Sequence, residues 1–309
     1  MQGTRTLDPP AAIAATAAGE ASAVTVTPAR PSILRDVREA WRGRALLPRL
    51  GVRFLIKFTY GTKLGRSWLV IRPLMSSLGM TLLFGTVLGV ATPNGVPYYL
   101  FLMAGLLAWH FFERSLRYGA RSFSLYRRMM TNFHFPLLLV PLAGMAYPLM
   151  EIFIYWLVFL GAVLFFWAID GSLYLQGSPQ LLMVIPATAL LMVITTGACL
   201  WVSVLNAKAR DVILVLRYVA PIWMYATPVI YPPEKLPDSF EWVATVNPMS
   251  APVQLMKDGL LGTGGVSMAA VWCSAGFGAL LLVSGLWFFS REAARSIDAL
   301  GPGDDEDEL

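Results

Sequence analysis

Residues 136–167 read PLLLVPLAGMAYPLMEIFIYWLVFLGAVLFFW, with one acidic residue, Glu151, and no lysine or arginine. About 20 apolar residues rise about 30 Å as a helix and cross the hydrocarbon core of a bilayer. This block extends about 48 Å as a helix, too long for one perpendicular crossing. Pro141 and Pro148 are expected to kink it, with its first turns projecting from the inner face. Outward from it, similar blocks occupy 68–91, 98–116, 180–205, 212–231 and 266–289. Mean hydropathy is +0.60, and only 14% of the 309 residues are charged. Soluble domains carry about 25%. The fold expected is an all-α polytopic membrane protein with six transmembrane helices.

Charge sets the expected orientation. Lysine and arginine in short loops favour the cytoplasmic side. With the amino terminus inside, all 24 basic residues except Lys235 and Lys257 fall on inner segments. Both termini are therefore expected in the cytosol, with the chain in the cytoplasmic membrane. The net charge of +5 flanks apolar blocks, so anionic headgroups rather than nucleic acid are the expected partner.

Four regions follow. Residues 1–32, rich in Ala, Thr and Pro and lacking a signal-peptide apolar core, read as a disordered cytosolic tail. Residues 33–67 read as an interfacial amphipathic region. There Leu50, Phe54 and Phe58 form one i, i+4 stripe, and Arg49, Arg53 and Lys57 form the next. Residues 68–290 form the transmembrane domain, and 291–309 an acidic cytosolic tail ending in the run 304–308. The outer connection 232–265 holds five prolines among apolar residues. Two short re-entrant helices before the last span are expected there, shielded by protein. Cys199 and Cys273 both lie in apolar blocks and read as buried small hydrophobes.

The chemistry absent is informative. No G-x-x-x-x-G-K-[ST] loop is present to cradle nucleotide phosphates, and Gly262-Thr263-Gly264 lacks the lysine. His110 and His134 have no Cys or carboxylate at metal spacing, and no nucleophile–base pair is visible. Glu151 lies within a span, and Glu113 and Arg114 near the inner end of another. Ion-driven carriers usually bury several such groups, and no internal repeat is evident. Energy is expected from a separate protein on the inner face.

Four stretches together resemble the ABC-2 type permeases that export cell-surface polysaccharides such as O-antigen, capsule and teichoic acid. They are Lys57-x-x-Tyr60 with Leu64-Gly65-x-x-Trp68 and Pro73; Gly105-Leu-Leu-Ala-Trp109 with Phe111-Phe112; Phe135-Pro136 with Pro141; and Arg210-Asp211, Thr227-Pro-Val-Ile-Tyr231 and Asn247-Pro-Met249. The resemblance spans roughly 33–290. Phe54 stands where an acidic residue is common, and Lys257 where an arginine is usual. The resemblance implies a homodimer bound to two copies of an ABC ATPase. It implies no cofactor in this chain, ATP and magnesium being held by the ATPase, and a lipid-linked polymer as cargo. An ABC-2 exporter of drugs or small lipids is the alternative.

Within that frame, Ser124 to Met130 reads as a coupling helix, with Tyr126, Arg127, Arg128 and Met129 against the ATPase. A headgroup-bound basic loop explains the same residues. Sliding sugars stack on aromatic faces, so Tyr147, Tyr155, Tyr218, Trp223 and Tyr225 are channel candidates. Interfacial anchoring is the competing explanation. Glu151 at a helix centre must face the pore, find a partner or stay protonated. Arg53, Lys57, Arg210 and Asp211 are assigned to the inner mouth. Asp211 serves equally as a helix-start carboxylate.

Overall fold

The structure, a computed structural model, describes residues 32–49, 67–126, 136–177 and 179–298. Arg53, Lys57, Arg127, Arg128 and Met129 lie outside the described residues. Among those described, no strand occurs. The helices are α1 (Ile33–Gly43), α2 (Trp68–Met80), α3 (Tyr98–Ala120), α4 (Leu139–Asp170), α5 (Val184–Lys208), α6 (Asp211–Ala226), α7 (Glu241–Val246), α8 (Ser250–Leu261) and α9 (Met268–Asp298).

Four helical stretches are long and apolar enough to cross a bilayer: Trp68–Val87, Leu139–Asp170, Gln180–Lys208 and Met268–Ser296. The other two expected spans differ for separate reasons. Helix α3 carries His110, Glu113, Arg114 and Arg117, which lower its hydropathy. It tolerates them because 17 of its 23 residues are buried by other helices rather than lipid. Helix α6 has 16 residues, about 24 Å, and its chain then runs on without helix from Thr227.

Helix α4 is one continuous rod despite its prolines. Pro141 lies in the first turn, where a missing N–H costs nothing, and only Pro148 is internal. The first crossing is α only to Met80 and then a π-helix, Thr81–Val87. Gly85 in that stretch lets Tyr98 approach, since a Cβ there would meet its ring at 2.8 Å.

Helix α3 is the hub, packing on α4, α5, α6 and α8. Helices α5 and α9 form the closest pair, because Gly197 meets the Leu281–Leu282 backbone and Gly285 meets the Gly197 carbonyl. Backbones approach this way where small residues replace side chains. Trp201 stacks on Phe288 farther along the seam, with ring centroids 4.3 Å apart. At one end, here the basic end, lie the last turns of α3, α5 and α9 and the first of α4 and α6. Helix α1 lies there too, with Ala40 buried in a cluster with Phe123, Leu139 and Phe289.

The last helix continues through Asp298, so the first residues of the expected tail are helical. Glu292 holds Lys208 of α5 at 2.6 Å and Arg295 one turn on at 3.2 Å, which fastens the extra turns. Cys199 is buried, with its thiol on the Ser115 carbonyl, but Cys273 is exposed on α9. The region 232–265 does hold two short helices, α7 and α8, and all twelve residues of α8 are buried.

Candidate functional site

At the basic end, α3 presents Arg114, Arg117, Tyr118 and Arg121 at i, i+3, i+4 and i+7, one helical stripe. The stripe faces α6, and the two helices enclose a cavity of about 330 Å³ lined by Arg114, Arg117, Tyr118, Arg121, Ile213, Leu214 and Arg217. Asn206 fixes this geometry. Its amide donates to the Ala120 carbonyl at 2.9 Å, and its oxygen accepts the Ile213 N–H at 3.1 Å. One side chain therefore ties the end of α3 to the first turn of α6.

Two of the four guanidinium groups are compensated inside the protein. Arg114 pairs with Glu151 of α4 at 3.3 Å, and Arg117 with Glu113 at 2.5 Å. Glu151 is 4% exposed, and its second oxygen, Oε2, has no hydrogen-bond partner. Tyr147 and Tyr155 sit one turn either side of it, both buried. Tyr147 lies against the Tyr118 ring at 4.8 Å and Tyr155 against the His110 ring at 5.0 Å. These expected channel residues thus line the α3–α4 seam within a single chain.

The fifth-span candidates divide. Trp223 is half-buried, edge-on to Phe112 at 5.2 Å with its indole N–H on Asn247 Oδ1. Tyr218 and Tyr225 are 69% and 50% exposed and share a face with Ile222 and Leu214. Asp211 stands in the first turn of α6, behind Arg210 at its amino-terminal boundary. Tyr126 is buried, its hydroxyl 3.5 Å from the Ala143 carbonyl. The structure brings Tyr147, Glu151 and Tyr155 together, and sets Tyr218 and Tyr225 apart from them.

At the other end of α6 the helix breaks, and the carbonyls of Ala226, Pro228, Val229 and Ile230 are taken up by distant side chains. Asn247 donates to the Ala226 carbonyl and Thr227 Oγ1, while its oxygen accepts from Trp223 and the Met249 N–H. Lys257 donates to the Pro228 and Val229 carbonyls, both at 2.7 Å, with its nitrogen 3.6 Å above the Phe101 ring. Tyr98 donates to Ile230 at 2.6 Å. Complete burial pushes the Lys257 ammonium well below the usual lysine range, with Glu234 opposing. The amino group carries at least two N–H groups in either protonation state, enough for both carbonyls. Gly105 makes the space, since a Cβ there would meet Lys257 Cε at 2.6 Å.

Lys257 and Tyr98 were not among the expected site residues. The available signal was a lysine within an apolar segment, opposite a glycine-bearing helix. Two of the four motif stretches, the one around Gly105 and the one holding Thr227 and Asn247, thus meet in one clasp. Residues 38–261 match the profile described as ABC-2 type transporter. The chain belongs to that family.

Among ABC-2 relatives, an O-antigen export system permease protein RfbA of Klebsiella pneumoniae is 28% identical over 240 residues, 77% of this chain and 88% of the relative. A second from that organism is 27% identical over 241 residues, covering 76% and 87%. The RfbA of Myxococcus xanthus is 28% identical over 220 residues, covering 70% and 80%.

Proposed function

We propose that this ABC-2 chain is the membrane subunit of an exporter for a lipid-linked cell-surface polysaccharide. A separate ABC ATPase, holding ATP and magnesium, drives it. Helices α3 and α6 complete six crossings of the cytoplasmic membrane, with the basic end and both termini in the cytosol. Helices α7 and α8 re-enter from the outer face. The names and coverage of the O-antigen export relatives support the cargo class.

The observation that carries the reading is the state of α6. Only Ala220 and Met224 of its 16 residues are buried, although it lies next to the hub helix. Its open face bears Leu214, Val215, Tyr218, Ile222 and Tyr225. A second copy across a two-fold axis covers part of that face and closes the rest into a conduit. Tyr218 and Tyr225 then offer sugar-stacking surfaces in the passage, above a mouth flanked by Arg210, Asp211, Arg53 and Lys57. ATPase motion is received at Tyr126, Arg127, Arg128 and Met129.

Co-purification with an ABC ATPase and glycan export in a permease-deleted strain test this reading. The R127E/R128E variant is expected to lose ATPase assembly or coupling and to abolish export. Unaltered assembly and export would overturn the coupling assignment. Export of small lipids or drugs without glycan would overturn the cargo.

A further inference from the structure

We infer that the seam between α3 and α4 binds one internal water, which bridges Glu151 Oε2 to a ring nitrogen of His110. On α4, Pro148, Glu151 and Tyr155 fall at i, i+3 and i+7, on one helical stripe. Together with His110 and Arg114 of α3 they line a cavity of about 10 Å³. A single water needs roughly 10–15 Å³ and two to four polar partners.

The polar atoms on this seam lack partners in the protein. Among the described residues, Glu151 Oε2 and both ring nitrogens of His110 are buried without a hydrogen bond. Arg114 takes up the other carboxylate oxygen, Oε1, at 3.3 Å. His110 Nδ1 lies 3.8 Å from Glu113 Oε2, beyond hydrogen-bond reach. The imidazole is packed against the Tyr155 ring, with centroids 5.0 Å apart. Glu151 stands near the middle of a helix long and apolar enough to cross a bilayer, where lipid offers no donor.

Charge selects the ligand. Glu151 and Glu113 are matched by Arg114 and Arg117, so the seam is balanced around a neutral imidazole. A cation there would meet two guanidinium groups, and an anion would meet two carboxylates. Water is neutral and both donates and accepts. It gives one hydrogen to Oε2, and either takes an N–H from the imidazole or gives its second hydrogen to the bare ring nitrogen. Glu151 is then held through both oxygens, and α3 and α4 are joined by a wet contact beside the ion pair. The site does not depend on the export reading.

Radiolytic hydroxyl-radical footprinting of the full chain, in phosphatidylcholine nanodiscs and heavy-oxygen water, tests it, because a bound water labels the side chains around it. Tyr155 should be modified several-fold faster than Tyr147, which is buried on the same helix but does not line the cavity. R114M/E151L makes the seam apolar, and small apolar cavities stay dry, so Tyr155 should fall to the Tyr147 rate. H110F leaves both ion pairs in place and should do the same; it carries the test if the double variant fails to fold. Equal labelling of the two tyrosines in the wild type would overturn the site. So would Tyr155 labelling that survives in either variant, since it marks bulk water reaching the seam.

The chain has two histidines, so ring-nitrogen-labelled protein in lipid gives a second readout by solid-state NMR, with H134Q assigning His110. A cross-peak from water protons to the His110 ring is expected. A ring nitrogen coupled directly to the Glu151 carboxyl group, without a water peak, would put a direct hydrogen bond in place of the bridge and overturn the site.

Discussion

Glu151 and Arg114 form the ion pair that allows a carboxylate at the middle of an otherwise apolar helix. At 3.3 Å, with the carboxylate side chain 5% exposed, each neutralises what would otherwise be an isolated buried charge. Replacing Glu151 by Ala strands Arg114 and should cost about 2–4 kcal/mol. The double replacement R114M/E151L should recover most of it, because two packed apolar chains remove both desolvation costs. Unfolding midpoints in mixed micelles measure both, and a double variant no better than E151A would contradict the pairing. Lys257 makes the complementary case at the other end. K257M leaves the Pro228 and Val229 carbonyls without donors, a loss of about 1–3 kcal/mol for each orphaned group. G105A should give a related defect by displacing the lysine. Hydrogen exchange at 226–231 should rise in both variants, and unchanged protection would dismiss the clasp.

Between elements, the seam of α5 and α9 is set by backbone approach rather than by side-chain bulk. G197A must push against the Leu281–Leu282 backbone, which cannot swing aside, and should cost about 1–3 kcal/mol. Gly161 on α4 has open space around its Cβ position, so G161A should instead gain about 0.5–1 kcal/mol of helix propensity. Opposite signs in thermal unfolding are the expected result, and equal effects would reject the seam. This contrast also marks what was legible in the chain. Unbroken apolar runs gave α4, α5 and α9 to within a few residues, apart from the turns added beyond Phe289, because lipid demands them. The two short helices in 232–265 were readable from prolines spaced among apolar residues. The π turn after Met80 was not, since nothing in TLLFGTV disfavours an α-helix. The burial of Tyr147 and Tyr155 was also hidden. An aromatic facing a pore and one facing a neighbouring helix obey the same 3.6-residue period, and only packing separates them. The convergence of Arg114, Arg117 and Arg121 with Arg217 needed the distance between two helices, which no charge count supplies.

For the molecule as a whole, the unbalanced surface is α6. Its hub neighbour is almost wholly enclosed, while α6 keeps a row of aromatic and aliphatic side chains uncovered. On the proposed two-fold assembly this face lines the passage, and Y218A/Y225A should then lower glycan export several-fold while leaving ATPase assembly intact. Membrane-fraction pull-downs and surface-glycan staining separate those effects, and unchanged export would remove both tyrosines from the passage. The most direct measurement is transport in proteoliposomes holding this chain with or without its ATPase and a labelled lipid-linked glycan. The account predicts glycan delivery only when chain, ATPase and ATP are all present. Delivery by the chain alone, down a proton or sodium gradient, would contradict it.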